Sequence, residues 1–154
     1  MKKKKICFAA SSGGHLEEIA CLKPIAEKYD SFLLTEYGGF NPITIGEKTY
    51  YISQINRREK AFALKFLKLF FDSLRILLRE KPDIIISTGA LATCPICVIG
   101  KILGIKIIYI ESFARVENAS LTGRLMYKIA DLFIVQWKEL LSIYPNAVYR
   151  GSIF

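Results

Sequence analysis

Histidine is almost absent from this chain: His15 is the only one in 154 residues. The four cysteines do not make the two ligand pairs that a structural zinc site needs. Cys94 and Cys97 form one C-x-x-C, whereas Cys7 lies in an apolar run and Cys21 on an expected helix. No metal is expected. The glycine-rich stretch Ser11-Ser12-Gly13-Gly14-His15 has no lysine after its second glycine, which argues against a nucleotide phosphate loop. It also lacks the G-x-G-x-x-G spacing of a dinucleotide site, and only Glu36 stands where a ribose-binding acid would close the second strand. Long apolar runs are missing too. Residues 84–100 carry no charge, but Ser87, Thr88, Gly89, Thr93 and Pro95 interrupt them, so a strand, a loop and a buried helix explain them better than a bilayer span. Residues 6–10 are too short for the apolar core of a signal peptide. Neither export nor a transmembrane segment is expected, and the cysteines should be reduced. Clustered basic and aromatic readers of nucleic acid are likewise wanting. The net charge of +8 falls to +4 when Lys2 to Lys5 are set aside. That excess suits an anionic membrane surface or a phosphate-bearing substrate.

What is present is an alternation of apolar runs and helical patterns. With 52% hydrophobic residues the chain can bury one sizeable core, so 1–154 reads as one domain. Strands are expected over 5–10, 31–35, 49–53, 83–87, 106–110, 132–135 and 147–150. Helices are expected over 15–28, 58–80, 95–104, 119–130 and 138–143, with turn chemistry at 38–42 and a loop at 89–93. Near-continuous apolar strands separated by helices argue for an α/β fold with a doubly wound parallel sheet.

The long helix has more apolar surface than a sheet can cover. Lys65, Lys68, Asp72, Arg75 and Arg79 form one narrow polar stripe. Phe62, Phe66, Leu69, Phe70, Ile76 and Leu77 make one apolar face, and Leu64, Leu67, Phe71, Leu74 and Leu78 a second. Either neighbouring helices sandwich the surplus, or it rests on a bilayer. In the second case Phe66 and Phe71 enter the acyl boundary while Lys68 and Arg75 reach the headgroups.

Ser11 to His15 falls between a strand and a helix, the rim at which open α/β sheets bind ligands. There Ser11, Ser12, Gly13 and Gly14 offer close backbone approach, and His15 an imidazole that can titrate near neutral pH. Thr88 and Gly89 end one buried strand and Glu111 the next, on the same rim. Thr88 and Gly89 would let a substrate approach the backbone, while Glu111 would hold a sugar hydroxyl or orient His15. Cys94 and Cys97, at a helix start where the dipole lowers a thiol pKa, leave a thiol oxidoreductase as a further reading. Ile153 and Phe154, after Tyr149-Arg150-Gly151, look like a strand that stops where a second domain would begin.

These residues together carry a resemblance. Ser12-Gly13-Gly14-His15-Leu16, the run from Pro82 to Ala90, Tyr109-Ile110-Glu111-Ser112 and Tyr149-Arg150-Gly151 resemble bacterial capsule and exopolysaccharide proteins of the PssD/CpsF type. Those are similar to the membrane-associated subunit of the eukaryotic two-part dolichol-linked N-acetylglucosamine transferase. More distantly, the chain resembles the N-terminal half of the peptidoglycan N-acetylglucosaminyltransferase. The resemblance implies a Rossmann-like, acceptor-binding half of a GT-B glycosyltransferase, peripheral at the cytoplasmic face of the membrane. It implies a polyprenyl-diphosphate-linked sugar as acceptor and a UDP-sugar bound mainly by a separate donor-binding subunit, with no cofactor. His15 and Glu111 would then be catalytic, and Ser11 to Gly14, Thr88 and Gly89 acceptor-binding, with Ile153 and Phe154 meeting the partner. A non-catalytic scaffold that recruits the donor subunit is the alternative.

Overall fold

A computed structural model describes residues 3–38, 43–56 and 58–154. The expected turn at 38–42 lies, beyond Gly38, outside the described residues. Among the described residues seven strands run parallel: β1 (Lys5–Ala10), β2 (Asp30–Glu36), β3 (Lys48–Ile52), β4 (Ile84–Gly89), β5 (Lys106–Ile110), β6 (Leu132–Val135) and β7 (Val148–Tyr149). Their order across the sheet is β3-β2-β1-β4-β5-β6-β7. The chain therefore winds outward from β1 to one edge, returns to β4, and winds to the other. The point of reversal lies between β1 and β4, where a doubly wound sheet opens a crevice at its carboxyl ends.

Side chains alternate across the strands, and each face has its own core. Cys7, Ala9, Phe32, Leu34, Ile85, Ile107 and Tyr109 face one side. There they pack with α3 (Phe62–Glu80), α4 (Cys94–Ile102) and α5 (Leu121–Ile129). Ile6, Phe8, Ala10, Leu33, Ile86 and Ile110 face the other, under α1 (Gly14–Ala20) and α2 (Lys23–Ala26). Ile153, next to the last residue, folds back onto this second core.

Two expected helices are shorter than their patterns. The one at 15–28 breaks into α1 and α2 because Pro24 has no N–H to continue the first ladder; it opens α2 in its first turn instead. The one at 58–80 starts only at Phe62. The Asn56 side chain accepts from Arg58 N, and Glu59 and Phe62 close successive tight turns that hold 58–61 outside the helix. At its far end Lys81 takes the left-handed conformation, φ 48°, before Pro82. Residues 138–142 form a 3-10 turn rather than an α-helix.

On α3 the two apolar faces have different fates. Leu69, Ile76 and Leu77 are buried against the sheet. Leu64, Leu67, Phe71, Leu74 and Leu78 are exposed, Leu64 to 75% and Phe71 to 65%, and no other described element covers them. Phe66 does not share that surface: it is half-buried, stacked on Phe62 and edge-on to Phe70, and packs against the core. Of the expected docking residues, Phe71, Lys68 and Arg75 lie on the outward side and Phe66 on the inward one. Among the described residues no helix is long and apolar enough to cross a membrane.

Candidate functional site

At the reversal point two loops lock together. Ser11 N donates to Gly89 O at 2.7 Å, and Ala90 N donates to Ser11 Oγ at 2.9 Å. Thr88 Oγ1 donates to His15 O at 2.8 Å, tying the end of β4 to the start of α1. Ser11 and Thr88 are thus buried and spent on holding the loops. Ser12 is anchored from below, since Glu36 Oε2 accepts from its backbone N at 3.2 Å while Glu36 Oε1 accepts from Ile55 N. The acid that a dinucleotide site would spend on ribose is spent here on the glycine loop. Gly13, at φ 82°, and Gly14 carry the open side of that loop; a Cβ at either would meet nothing within 4 Å.

His15 stands beside a cavity of about 1000 Å³. Its ring rests on Gly89: a Cβ there would lie 3.3 Å from His15 Cε1 and 3.1 Å from the Tyr109 hydroxyl. His15, Tyr109, Ser112, Arg115, Asn56 and Arg58 are among the residues that line the cavity. Two arginines therefore face the space beside the only histidine. Burial drives the Tyr109 hydroxyl well above its ordinary pKa, so it enters the site as a neutral donor or acceptor.

Glu111 follows the carboxyl end of β5, on the rim the sequence reading gave it, but it does not face the cavity. Its side chain is fully buried. Oε1 accepts from Ser112 N and from Ser120 Oγ at 3.0 Å, and Oε2 accepts from Tyr144 OH at 2.8 Å. Gly123 completes the enclosure, because a Cβ there would fall 1.8 Å from Glu111 Oε2. With both oxygens occupied, Glu111 braces the end of β5 against the start of α5. None of the described hydrogen bonds joins it to His15.

The acid beside His15 is Glu18, which the sequence reading missed. It lies three residues along α1, a spacing that puts both on one face of the helix and could have revealed it. Glu18 Oε1 accepts from Ser112 Oγ and Phe113 N, each at 3.0 Å. Burial raises the Glu18 pKa, opposed by those two bonds and by the nearby imidazole. Gln54, Asn56 and Arg58 also went unnoticed; they sit in a connecting segment with no diagnostic spacing.

The C-x-x-C offers little thiol chemistry. No disulfide joins any of the four cysteines, and Cys94 and Cys97 are buried. Burial pushes the Cys97 thiol up to about 12, which leaves almost no thiolate near neutral pH. Ile153 N donates to Gln136 Oε1 at 3.1 Å, whereas Phe154 is 63% exposed with its ring edge-on to Phe113. Among the described residues no group of three or more His, Cys, Asp or Glu gathers as a metal site.

Comparison with known proteins bears on the family and the fold. A family model described as "Oligosaccharide biosynthesis protein Alg14 like" matches residues 54–153. Among curated relatives, the UDP-N-acetylglucosamine transferase subunit ALG14 of Rattus norvegicus is 36% identical over 96% of this chain and 82% of its own length. That of Homo sapiens is 32% identical over the same shares. Among solved structures, MurG of Acinetobacter baumannii superimposes with a TM-score of 0.73 at 18% identity, covering 97% of this chain and 44% of that one. A UDP-N-acetylglucosamine 2-epimerase from Rickettsia bellii gives 0.75 at 14%, covering 98% and 45%. The chain thus spans under half of each of these two structures, and what it shares with them is the Rossmann-like parallel sheet.

Proposed function

The chain belongs to the Alg14-like family of oligosaccharide biosynthesis proteins, and from that premise we propose that it is the acceptor-binding subunit of a two-chain, UDP-sugar-dependent glycosyltransferase. Its curated relatives are named as subunits of a UDP-N-acetylglucosamine transferase, which supports the division into two chains. The observation that carries the reading is the position of His15, the only imidazole, at the reversal of the sheet and on the wall of an arginine-flanked cavity.

The acceptor is a saccharide linked to a polyprenyl diphosphate. Its hydroxyl lies within hydrogen-bond reach of His15 and attacks the anomeric carbon of the UDP-sugar. As the new C–O bond forms, the bond to UDP breaks and its electron pair leaves on the UDP phosphate oxygen. The hydroxyl proton passes to His15 as general base, and the anomeric centre inverts. Arg58 and Arg115, with the open backbone of Gly13 and Gly14, meet the negative charge of the acceptor diphosphate. Glu111 keeps the Ser112 edge of the cavity in place without touching substrate. The donor is held mainly by the partner chain, and no cofactor takes part. The saccharide belongs to a capsule or exopolysaccharide, as the likeness of the glycine loop and the 82–90 run to PssD/CpsF proteins supports.

The outward stripe of α3 docks on the cytoplasmic face of an anionic membrane as a peripheral contact, with Lys68, Arg75 and Arg79 at the headgroups. The exposed ring of Phe154, beside the tethered Ile153, meets the donor subunit. A scaffold that only recruits and activates that subunit shares these surfaces but has no need of the imidazole. The discriminating experiment is reconstitution with the donor subunit: His15→Ala is expected to lower kcat by about 10²- to 10⁴-fold, the range of general-base catalysis. Near wild-type turnover would remove the base and leave the scaffold.

A further inference from the structure

Among the described residues, four buried side-chain polar atoms lack a hydrogen-bond partner: His15 Nδ1, Glu18 Oε2, Thr35 Oγ1 and Ser73 Oγ. Two are hydroxyls on separate elements. The others are a ring nitrogen and a carboxylate oxygen, three residues apart on the same face of α1. A buried polar atom left unpaired is costly, and two of complementary chemistry on one helix face call for a common explanation.

The rest of each group is already committed. Glu18 Oε1 is held by Ser112 Oγ and Phe113 N from the loop after β5, which fixes the plane of the carboxylate and leaves Oε2 as its free end. The His15 ring is pressed on Gly89, with Nδ1 3.4 Å from where a Cβ would be, and the residue lines the cavity. The further acid near Glu18, Glu111, is saturated by its own donors.

We propose that Glu18 is the positioning residue for His15: its Oε2 accepts a hydrogen bond from Nδ1–H, directly or through one water, and so leaves Nε2 unprotonated toward the cavity. When Nε2 takes the proton of the acceptor hydroxyl, the imidazolium formed is neutralised by the carboxylate behind it. The dyad rests on the reading of His15 as the base, but its structural half can be tested without turnover.

Because His15 is the only histidine, nitrogen-15 NMR of histidine-labelled protein reports one ring without assignment. With the ring neutral, the wild type is expected to be predominantly the Nδ1–H tautomer. Glu18→Gln should reverse this. Its amide oxygen takes over the Ser112 and Phe113 bonds, which keeps the fold, and its NH₂ then points where Oε2 was and donates to Nδ1, forcing the proton onto Nε2. In the reconstituted complex the same variant should lose about 10²- to 10⁴-fold in kcat with little change in KM, the penalty of an imidazole in the wrong tautomer. Glu17→Gln, exposed on the same helix, should alter neither readout. An Nε2–H ring in the wild type, or an unchanged tautomer in Glu18→Gln, would overturn the dyad. Full turnover by His15→Ala beside a clean tautomer reversal would instead uphold the dyad and sink the general-base reading.

Discussion

Gly89 is the position at which the site has least room. Its φ of 100° suits glycine alone, and an added methyl would press on both the His15 ring and the Tyr109 hydroxyl. Gly89→Ala is therefore expected to cost about 1–3 kcal/mol of stability, the range of a strained backbone position, and to push the ring off its seat. Turnover in the reconstituted complex should fall at least about tenfold in protein that still unfolds cooperatively, since a displacement well under 1 Å disturbs a near-attack geometry. Unchanged turnover would mean that the ring does not need this seat. At this scale the sequence was half legible. A lone histidine after two glycines pointed to a residue that the structure sets on the cavity wall, because only one residue carried that chemistry. It could not tell which hydroxyls and carboxylates would be consumed internally. Ser11, Thr88 and Glu111 all end strands at the right rim, yet they turn inward because neighbouring backbone groups need partners there. Glu18 looked like an ordinary helix-surface residue until the Ser112–Phe113 loop came down on it.

The elements were easier to read than their limits. Strand runs such as Ile84-Ile85-Ile86 are apolar on both faces because the sheet is covered on both, so their periodicity pointed to buried parallel strands without ambiguity. Helix ends depended on single residues, and Pro24 and the Asn56 turn shortened two of them. For α3, counting apolar positions showed a surplus but not which half the sheet would take. The structure turns Leu69, Ile76 and Leu77 inward and leaves the Leu64-Leu67-Phe71-Leu74-Leu78 row outside. That assignment separates two residues that the docking expectation had grouped together. Phe71→Asp is expected to leave the melting temperature almost unchanged and to weaken co-sedimentation with anionic vesicles by at least about tenfold. A Phe side chain transferred from water to an apolar phase is worth roughly 1.5–3 kcal/mol. Phe66→Ala should do the reverse. It removes a half-buried ring from the Phe62 and Phe70 cluster, costing about 2 kcal/mol of stability, with vesicle binding retained by the folded fraction. Equal vesicle binding by wild type and Phe71→Asp would take α3 out of the membrane contact.

Across the whole molecule the two edges of the sheet have separate work. The carboxyl edge holds the loops, His15 and the cavity. The amino edge gathers ion pairs that fasten helices to strand starts. Glu80, ending α3, accepts from Lys5 Nζ of β1 at 2.6 Å, from the Tyr50 hydroxyl and from Lys48 Nζ of β3. Asp131, just before β6, accepts from Ile107 N and Lys101 Nζ, both at 2.9 Å. The Lys5 and Tyr50 bonds hold the Glu80 carboxyl at about 2, and the Ile107 and Lys101 bonds hold Asp131 at about 2 as well. Both values lie below those of the unfolded chain. The stabilisation from each carboxylate is thus complete above its ordinary pKa of about 4 and drains away as pH falls toward 2. Glu80 is almost wholly shielded from solvent, so its shift converts to stability on the order of 3 kcal/mol at neutral pH. Urea unfolding should show Glu80→Gln less stable than wild type by about 3 kcal/mol at pH 7 and by only about 1 kcal/mol at pH 3, as the wild type loses the advantage the variant never had. The His15 tautomer, reported from the opposite edge of the sheet, should be the same in both proteins. A stability gap that stays constant from pH 7 to pH 3 would show that Glu80 acts through packing and neutral hydrogen bonds, and not through its charge.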